Sequence, residues 1–459
     1  MSRFDAAHEN VTRKLFSLPS HSPSSSSSPP PNDNDNETNS VVYLCGNSLG
    51  PLPLDSRTLV NQELDVWAQR GVMGHFDHPH QRPWATIDDA DTPTPTLEPT
   101  KTYNVIHSMA RIVGATPQET SVTNSLTANL HLAMISFYKP TPTRFKILME
   151  SKAFPSDYFA IESQVRLHGL DPATAIVQLE PEPGADTLTT AQICREISQL
   201  GDSLALVLFS GVQYYTGQFF NVPPPPHHNA QIPEITRAGH DVGARVGWDL
   251  AHAVGNVPLS LHDWDVDFAV WCTYKYLNSG PGNIGGLFIH EKFAGDDSLA
   301  RLQGWWGTDK TRKFTMDLAF TPSGAAGSYR LSNPCVLSIA ALLGSMRVFD
   351  QTSMQALHER SRLLTGFLES ELATHARPDV WRVITPAERG CQLSIRFAGG
   401  EGVMMRVFAR LCDAGVVVDE RKPDVIRISP APLYNTFAEV EYCARVFVQA
   451  VDAVVSQGV

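Results

Sequence analysis

An acid, a histidine and a lysine lie close together in W-D-L-A-H-A and T-Y-K-Y-L-N: Asp249, His252 and Lys275. Glycines follow at Gly280, Gly282, Gly285 and Gly286. The acid and the lysine each come after an apolar run, Ala244–Trp248 and Phe268–Cys272, which read as short strands. Open α/β sheets bind ligands where strands end, so this spacing aims two opposite charges into one cleft. A buried lysine, or one beside another cation, loses proton affinity and becomes a nucleophilic amine. An amine for an aldehyde and a carboxylate for a protonated ring nitrogen are what pyridoxal 5'-phosphate requires. A structural Asp–Lys ion pair at a sheet edge is the alternative for this stretch alone.

Such groups need elements to position them. Strand-like runs alternate with helical ones from about 145 to 290, which predicts a mostly parallel α/β sheet. Phe145–Met149 reads as a strand, and Phe154 just beyond it is placed to stack on a ring. Pro155 and Asp157 are equally ordinary helix-start signals, for a helix to about His168. Leu126, Leu130, Ala133, Met134 and Phe137 repeat at helical spacing. Ser125 or Thr127 is placed to cap that helix, whose free N–H groups suit a phosphate; a core helix with an ordinary cap is the bland reading. Ala205–Phe209 reads as a buried strand leading to Ser210. Gly280–Gly285 formally matches G-x-G-x-x-G, but it contains Pro281 and leads into strand-like Gly286–His290. It is therefore not a dinucleotide motif, and its glycines let the backbone turn beside Lys275.

Elsewhere, Asn47 and Ser48 sit in a Gly/Pro turn, facing a substrate or serving the turn alone. Leu59–Arg70 reads as a helix. His75, His78 and His80 cluster in a Pro-interrupted loop without familiar ligand spacing, so no metal is expected. Trp305 and Trp306 on a glycine-flanked loop mark a ligand, an interface or a core contact. Ser332-Asn333-Pro334 precedes a helix running through Phe349. Arg427, at alternating strand spacing, pairs with a substrate carboxylate or with a surface acid.

Thirty-six Lys and Arg against 48 Asp and Glu give a net charge of −12 without a basic cluster, which disfavours nucleic acid. Seven scattered cysteines without C-x-x-C argue against a disulfide framework or structural zinc and fit a reducing compartment. No apolar run reaches membrane-spanning length and no signal core precedes residue 20, so a cytoplasmic protein is expected. Residues 1–19 read as a short amphipathic helix, and the Ser/Pro/Asn-rich tract His21–Asn39 as disordered. The Thr/Pro-rich segment near 91–103 and the Pro-rich stretch 222–233 read as surface insertions. The expected division is an N-terminal arm over 1–40, a large cofactor-binding domain over 41–330 and a small C-terminal domain over 331–459. The first part of the large domain is expected to pack with the small one.

In order and combination, several blocks resemble the kynureninase family: L-C-G-N-S-L-G-P, N-S-L-T-A-N-L-H, K-A-F-P-S-D, F-S-G-V-Q-Y-Y-T-G-Q, W-D-L-A-H-A-V-G-N, T-Y-K-Y-L-N, G-W-W-G, L-S-N-P and R-I-S-P-A-P-L-Y-N. The resemblance runs from about Leu44 to about Asn435. It implies the fold-type I architecture of pyridoxal-phosphate enzymes: α/β, with a mostly parallel sheet in a large domain and a smaller C-terminal α/β domain. A homodimer with shared sites is implied as well. The implied reaction is hydrolytic Cβ–Cγ cleavage of L-kynurenine or 3-hydroxy-L-kynurenine. Its products are L-alanine and anthranilate or 3-hydroxyanthranilate, in tryptophan catabolism and NAD biosynthesis.

By position, the resemblance makes Lys275 the catalytic residue and covalent anchor. Asp249 would hold the pyridine nitrogen with His252 beside it. Phe154 would stack on the ring, with Pro155, Ser156 and Asp157 nearby. Leu126 and Thr127 would bind the phosphate end, and Ser210 and Tyr274 would add contacts. Trp305 and Asn333 would reach the cofactor from a second subunit. Arg427 would hold the substrate α-carboxylate, and His75 with Asn333 the aromatic end. The G-H-F-D-H-P-H-Q-R-P-W block is longer than the family's usual form. Rivals are a desulfurase or aminotransferase of the class V type, and a non-catalytic protein that binds pyridoxal phosphate. A desulfurase needs a loop cysteine, and neither Cys335 nor Cys391 sits in a glycine-rich loop.

Overall fold

The computed structural model describes residues 12–20, 41–89, 104–220, 231–316 and 318–457. The Ser/Pro/Asn-rich tract and the Thr/Pro-rich segment lie outside them, as do most of the Pro-rich stretch and of the expected N-terminal helix. Within 12–20 the chain is not an α-helix. A 3-10 turn, Arg13–Leu15, leads to the short strand Phe16–Ser17. Packing overrides the helical pattern there, because Phe16 is buried edge-on against Tyr434.

Seven strands form the large sheet: β1 (Thr120–Val122), β2 (Lys146–Glu150), β3 (Ile176–Leu179), β4 (Leu204–Ser210), β5 (Arg245–Asp249), β6 (Phe268–Cys272) and β7 (Gly285–Ile289), in spatial order β1-β7-β6-β5-β4-β2-β3. From β3 to β6 every neighbouring pair is parallel, and β7 runs antiparallel to both β6 and β1. Both faces are apolar, as a sheet covered on two sides demands. Along β4, Val207 and Phe209 enter one core while Leu206 and Leu208 enter the other.

The helices are α1 (Leu54–Arg70), α2 (Val105–Val113), α3 (Leu126–Phe137), α4 (Pro155–Leu167), α5 (Thr190–Leu200), α6 (Gln231–Asp241), α7 (Val336–Phe349), α8 (Met354–Ala373), α9 (Gly400–Asp413) and α10 (Phe437–Ser456). Those of them from α2 to α7 contribute to the cores on these faces, whereas α9 and α10 pack in the core of a second, smaller sheet. α1 starts a turn before the expected Leu59, and α6 starts at Gln231 rather than Ile235. Pro233 does not prevent this, since a first-turn N–H has no intrahelical partner to lose.

The second sheet holds β8 (Trp381–Val383), β9 (Leu393–Phe397), β10 (Asp419–Arg421) and β11 (Val425–Ile428), in order β8-β9-β11-β10. Its core takes in Leu44, and Val42–Tyr43 pairs in parallel with Val416–Val417, so the segment before α1 packs on this smaller body. Leu357 belongs to a core of the large sheet and Leu364 to that of the small one. We propose that the boundary between the two bodies lies along α8, later than residue 330. No helix among the described residues is long and apolar enough to cross a membrane.

Candidate active site

β2, β4 and β5 end at Glu150, Ser210 and Asp249, and Ser210 pairs directly with Asp249 in the ladder. These strands are neighbours and parallel, so the three polar side chains emerge in a row at one edge of the sheet. β6 ends at Cys272, and the loop beyond it brings Tyr274 and Lys275 to the same edge. That loop turns back through Gly280 and Gly282, whose φ values of +105° and +63° favour glycine. α3 and α4 present their N-termini to the cleft through Leu126, Thr127, Ser156 and Asp157. At Gly285, β7 lies so close to α3 that a Cβ would come within 2.9 Å of the Leu126 nitrogen. The cleft encloses about 110 Å³, and Phe154, Tyr214 and His252 complete its walls.

Lys275 Nζ lies 3.0 Å from His252 Nε2. Burial, and then the Lys275 charge, push the His252 pKa well below its usual value. The ring is therefore neutral and accepts the lysine's hydrogen bond at Nε2, while Nδ1 is buried without a partner among the described residues. Asp249 Oδ1 accepts the Ala251 N–H at 2.6 Å. Burial, then the nearby Asp249 charge, raise the Asp157 carboxyl well above its ordinary value. Burial first raises Glu150 as well, to about 7, against hydrogen bonds from Ser210.

These residues fit pyridoxal phosphate. Three carboxyls face one lysine, and the strain this places on Asp157 and Glu150 is relieved by a cation such as a protonated pyridine beside Asp249. Neither α3 nor α4 has a side-chain hydrogen bond at its N-cap. The Thr127 and Ser156 hydroxyls meet at 2.9 Å between the two helix starts. Uncapped N–H groups and two hydroxyls suit a phosphate dianion. The expected cap is thereby corrected. Ser125 holds the N-cap position without a side-chain hydrogen bond to the helix, and Thr127, already inside the helix, turns to Ser156 instead. Phe154 is 47% exposed and stands edge-on to Tyr214, open to a flat ring.

Leu126, Thr127, Phe154, Ser156, Asp157, Ser210, Asp249, His252, Tyr274 and Lys275 thus converge. Pro155 opens α4 without lining the cleft. Arg427 is 1% exposed, which rules out a surface ion pair. It pairs with Asp419 and Ser48, donates to the Tyr214 carbonyl at 2.8 Å and keeps Nε without a partner among the described residues, and it does not itself line the cleft. His75, Trp305 and Asn333 do not line this chain's cleft. The His75 ring instead packs edge-on against Trp84. Trp305, 50% exposed, packs on Phe314, which packs on Phe76, while Asn333 is exposed beside the same loop. His78 is no ligand among three histidines: its Nε2 bonds the buried Glu63 at 2.8 Å. Sequence reasoning passed over Glu150, Tyr214 and Asp419, although Glu150 ends an apolar strand just as Asp249 does.

A lysine and an acid at the ends of adjacent strands of this sheet, beside two uncapped helix N-termini, define a pyridoxal-phosphate enzyme of fold-type I. The fold is shared with a cystine C-S lyase solved with cysteine persulfide (TM-score 0.68, 16% identity, 89% of this chain and 97% of that one). A cysteine desulfurase from Escherichia coli is similar to the same degree (TM-score 0.68, 17% identity, 91% and 96%). In sequence, residues 357–447 match the kynureninase C-terminal domain model. A kynureninase of Xanthomonas oryzae is 49% identical over 402 residues, 87% of this chain and 88% of that protein. One from Coccidioides immitis is 44% identical over 454 residues, 95% and 90%. The chain belongs to the kynureninase family.

Proposed function

We propose that this cleft binds pyridoxal 5'-phosphate and hydrolyses the Cβ–Cγ bond of L-kynurenine or 3-hydroxy-L-kynurenine. L-alanine and anthranilate or 3-hydroxyanthranilate are released, a step of tryptophan catabolism that feeds NAD synthesis. The carrying observation is that Lys275, Asp249 and the two uncapped helix N-termini share one cleft. When bound, pyridoxal phosphate supplies an aldehyde for amines and a conjugated ring that accepts electrons from bonds broken beside it.

The chain's own groups do the rest. Lys275 Nζ would anchor the cofactor, and its amine is placed to move the substrate Cα proton. His252, kept neutral, orients that amine through Nε2 without competing for its proton. Asp249 keeps a proton on the pyridine nitrogen. Burial, then Cys272 and Asp249, hold the Tyr274 phenol far above its usual pKa, so it is a proton donor rather than a base. Phe154 would stack on the ring, and Thr127, Ser156 and the starts of α3 and α4 would hold the phosphate. Arg427, fixed by Asp419 and Ser48, offers its unpartnered Nε to the substrate carboxylate.

A second copy of the chain supplies Trp305, Asn333 and His75 to this cleft. Supporting this, Phe76 (59% exposed), Trp305 and Phe314 (51%) form a continuous apolar surface outside the chain's own cleft. The enzyme works in the cytoplasm. A desulfurase reading finds no cysteine among the described residues that line the cleft.

The test is turnover of purified protein with pyridoxal phosphate on both substrates side by side. Equal amounts of alanine and aromatic acid are expected. Bound cofactor without either product would overturn the assignment and favour a binding protein.

A further inference from the structure

Asp157 and Glu150 are buried carboxyls of the cleft without a task in this chemistry, and of the two Glu150 also braces Ser210. Glu150 closes β2 and is 3% exposed. Its Oε1 accepts the Ser210 hydroxyl proton at 2.6 Å, and the Ser210 N–H lies 3.5 Å from its Oε2. The charged and titratable groups facing it are Asp249 on β5, Asp157 on α4, Tyr214 beyond β4 and Lys275 beyond β6. Gln213 bonds it from the same loop as Tyr214. Its far side borders a second cavity, of about 250 Å³, lined also by Lys152, Glu180, Asp186 and Arg396.

We propose that Glu150 is a positioning residue for the pyridine end of the cofactor: it fixes Ser210 and supplies, behind Asp249, a second carboxylate that helps retain a protonated ring nitrogen. The inference rests on the pyridoxal-phosphate reading of the cleft. Burial, then Asp249, hold the Glu150 carboxyl at about 7 in the protein alone. A cation arriving beside Asp249 favours the ionised carboxylate. By reciprocity the ionised carboxylate favours the cation. Cofactor affinity therefore rises as pH climbs through about 7 and falls as Glu150 protonates below it.

The test compares wild type with Glu150→Gln, which keeps an acceptor for Ser210 but cannot ionise. Pyridoxal phosphate dissociation constants are measured at pH 6 and pH 8, together with the pyridine ¹⁵N shift of the bound cofactor. Wild type should lose about tenfold more affinity than the variant between pH 8 and pH 6, the equivalent of one pKa unit of coupling. The ¹⁵N signal should show a less protonated ring nitrogen in the variant at pH 8. Binding with parallel pH profiles and equal ¹⁵N shifts would overturn the inference alone. Absence of binding by both proteins would overturn the cofactor reading and the inference with it. Should Glu150→Gln not fold, Ser210→Ala serves, since loss of its hydrogen bond raises the Glu150 pKa. The pH at which affinity changes should then move up, and an unmoved profile would overturn the inference.

Discussion

Nε2 of His252 lies 3.0 Å from Nζ of Lys275, and the ring that holds it is buried and neutral. The histidine therefore acts as a fixed acceptor that aims the amine, not as a second base. His252→Ala should lower kcat by about 100-fold through misplacement of the amine. Borohydride should still trap the cofactor on Lys275 in that variant. Loss of trapping together with activity would mean that His252 is needed for the covalent anchor itself.

Arg427 and Asp419 face each other across β11 and β10, both buried. Breaking a buried pair strands the remaining charge, at about 3–5 kcal/mol. Arg427→Ala should lower unfolding stability by that order and raise KM. The double change Arg427→Met, Asp419→Leu should recover most of the stability while KM stays high. Urea unfolding and steady-state kinetics separate the two effects.

Glu63 on α1 gathers His78, Arg82 and Trp84 at 2.8 Å each in the interior. Burial alone would raise its pKa, but hydrogen bonds from His78 and Trp84 and the Arg82 charge prevail and hold it at about 2. Because the folded value lies below the ordinary 4.5, the stabilisation is complete above 4.5 and fades as pH falls from there through about 2. Glu63→Gln should cost about 3–5 kcal/mol at pH 7. The gap to wild type should narrow in thermal or urea unfolding at pH 3.

A site shared between two copies can be reconstituted from two broken ones. Lys275→Ala and Trp305→Ala homodimers should each be nearly inactive. Unfolded and refolded together in equal amounts, they should regain about a quarter of wild-type activity, since half the dimers hold one intact site of two. No recovery would place Trp305 in its own chain's site, and an active Trp305→Ala homodimer would place it outside the site altogether.

Much of this arrangement was legible because the chemistry sits at the ends of fully buried strands. Val246–Trp248 and Phe268–Cys272 are buried and carry no charge, so the first charged residue after each marks the sheet edge. Phe154 and Thr127 were legible as neighbours of helix starts, although the cap chemistry was not: local signals cannot show that Thr127 finds Ser156 twenty-nine residues away. Arg427 shows the same limit, since alternation indicates an inward face but not that Asp419 on the next strand has already claimed the guanidinium. His75, Trp305 and Asn333 have no local signal for the role proposed for them, because that role would be played in the cleft of a second copy of the chain. The N-terminal segment failed as a helix because Phe16 is held by Tyr434, more than four hundred residues distant.

Hydrolysis of the Cβ–Cγ bond leaves the oxygen of water in the aromatic acid, where an isotope can be followed. Wild type and Lys275→Ala are given 3-hydroxykynurenine and kynurenine in ¹⁸O-water with pyridoxal phosphate present. The account predicts that wild type releases alanine and an aromatic acid in equal amounts, with one carboxylate oxygen of the acid labelled, and that Lys275→Ala releases neither. Full turnover in Lys275→Ala, or cleavage by wild type that leaves the aromatic acid unlabelled, would contradict it.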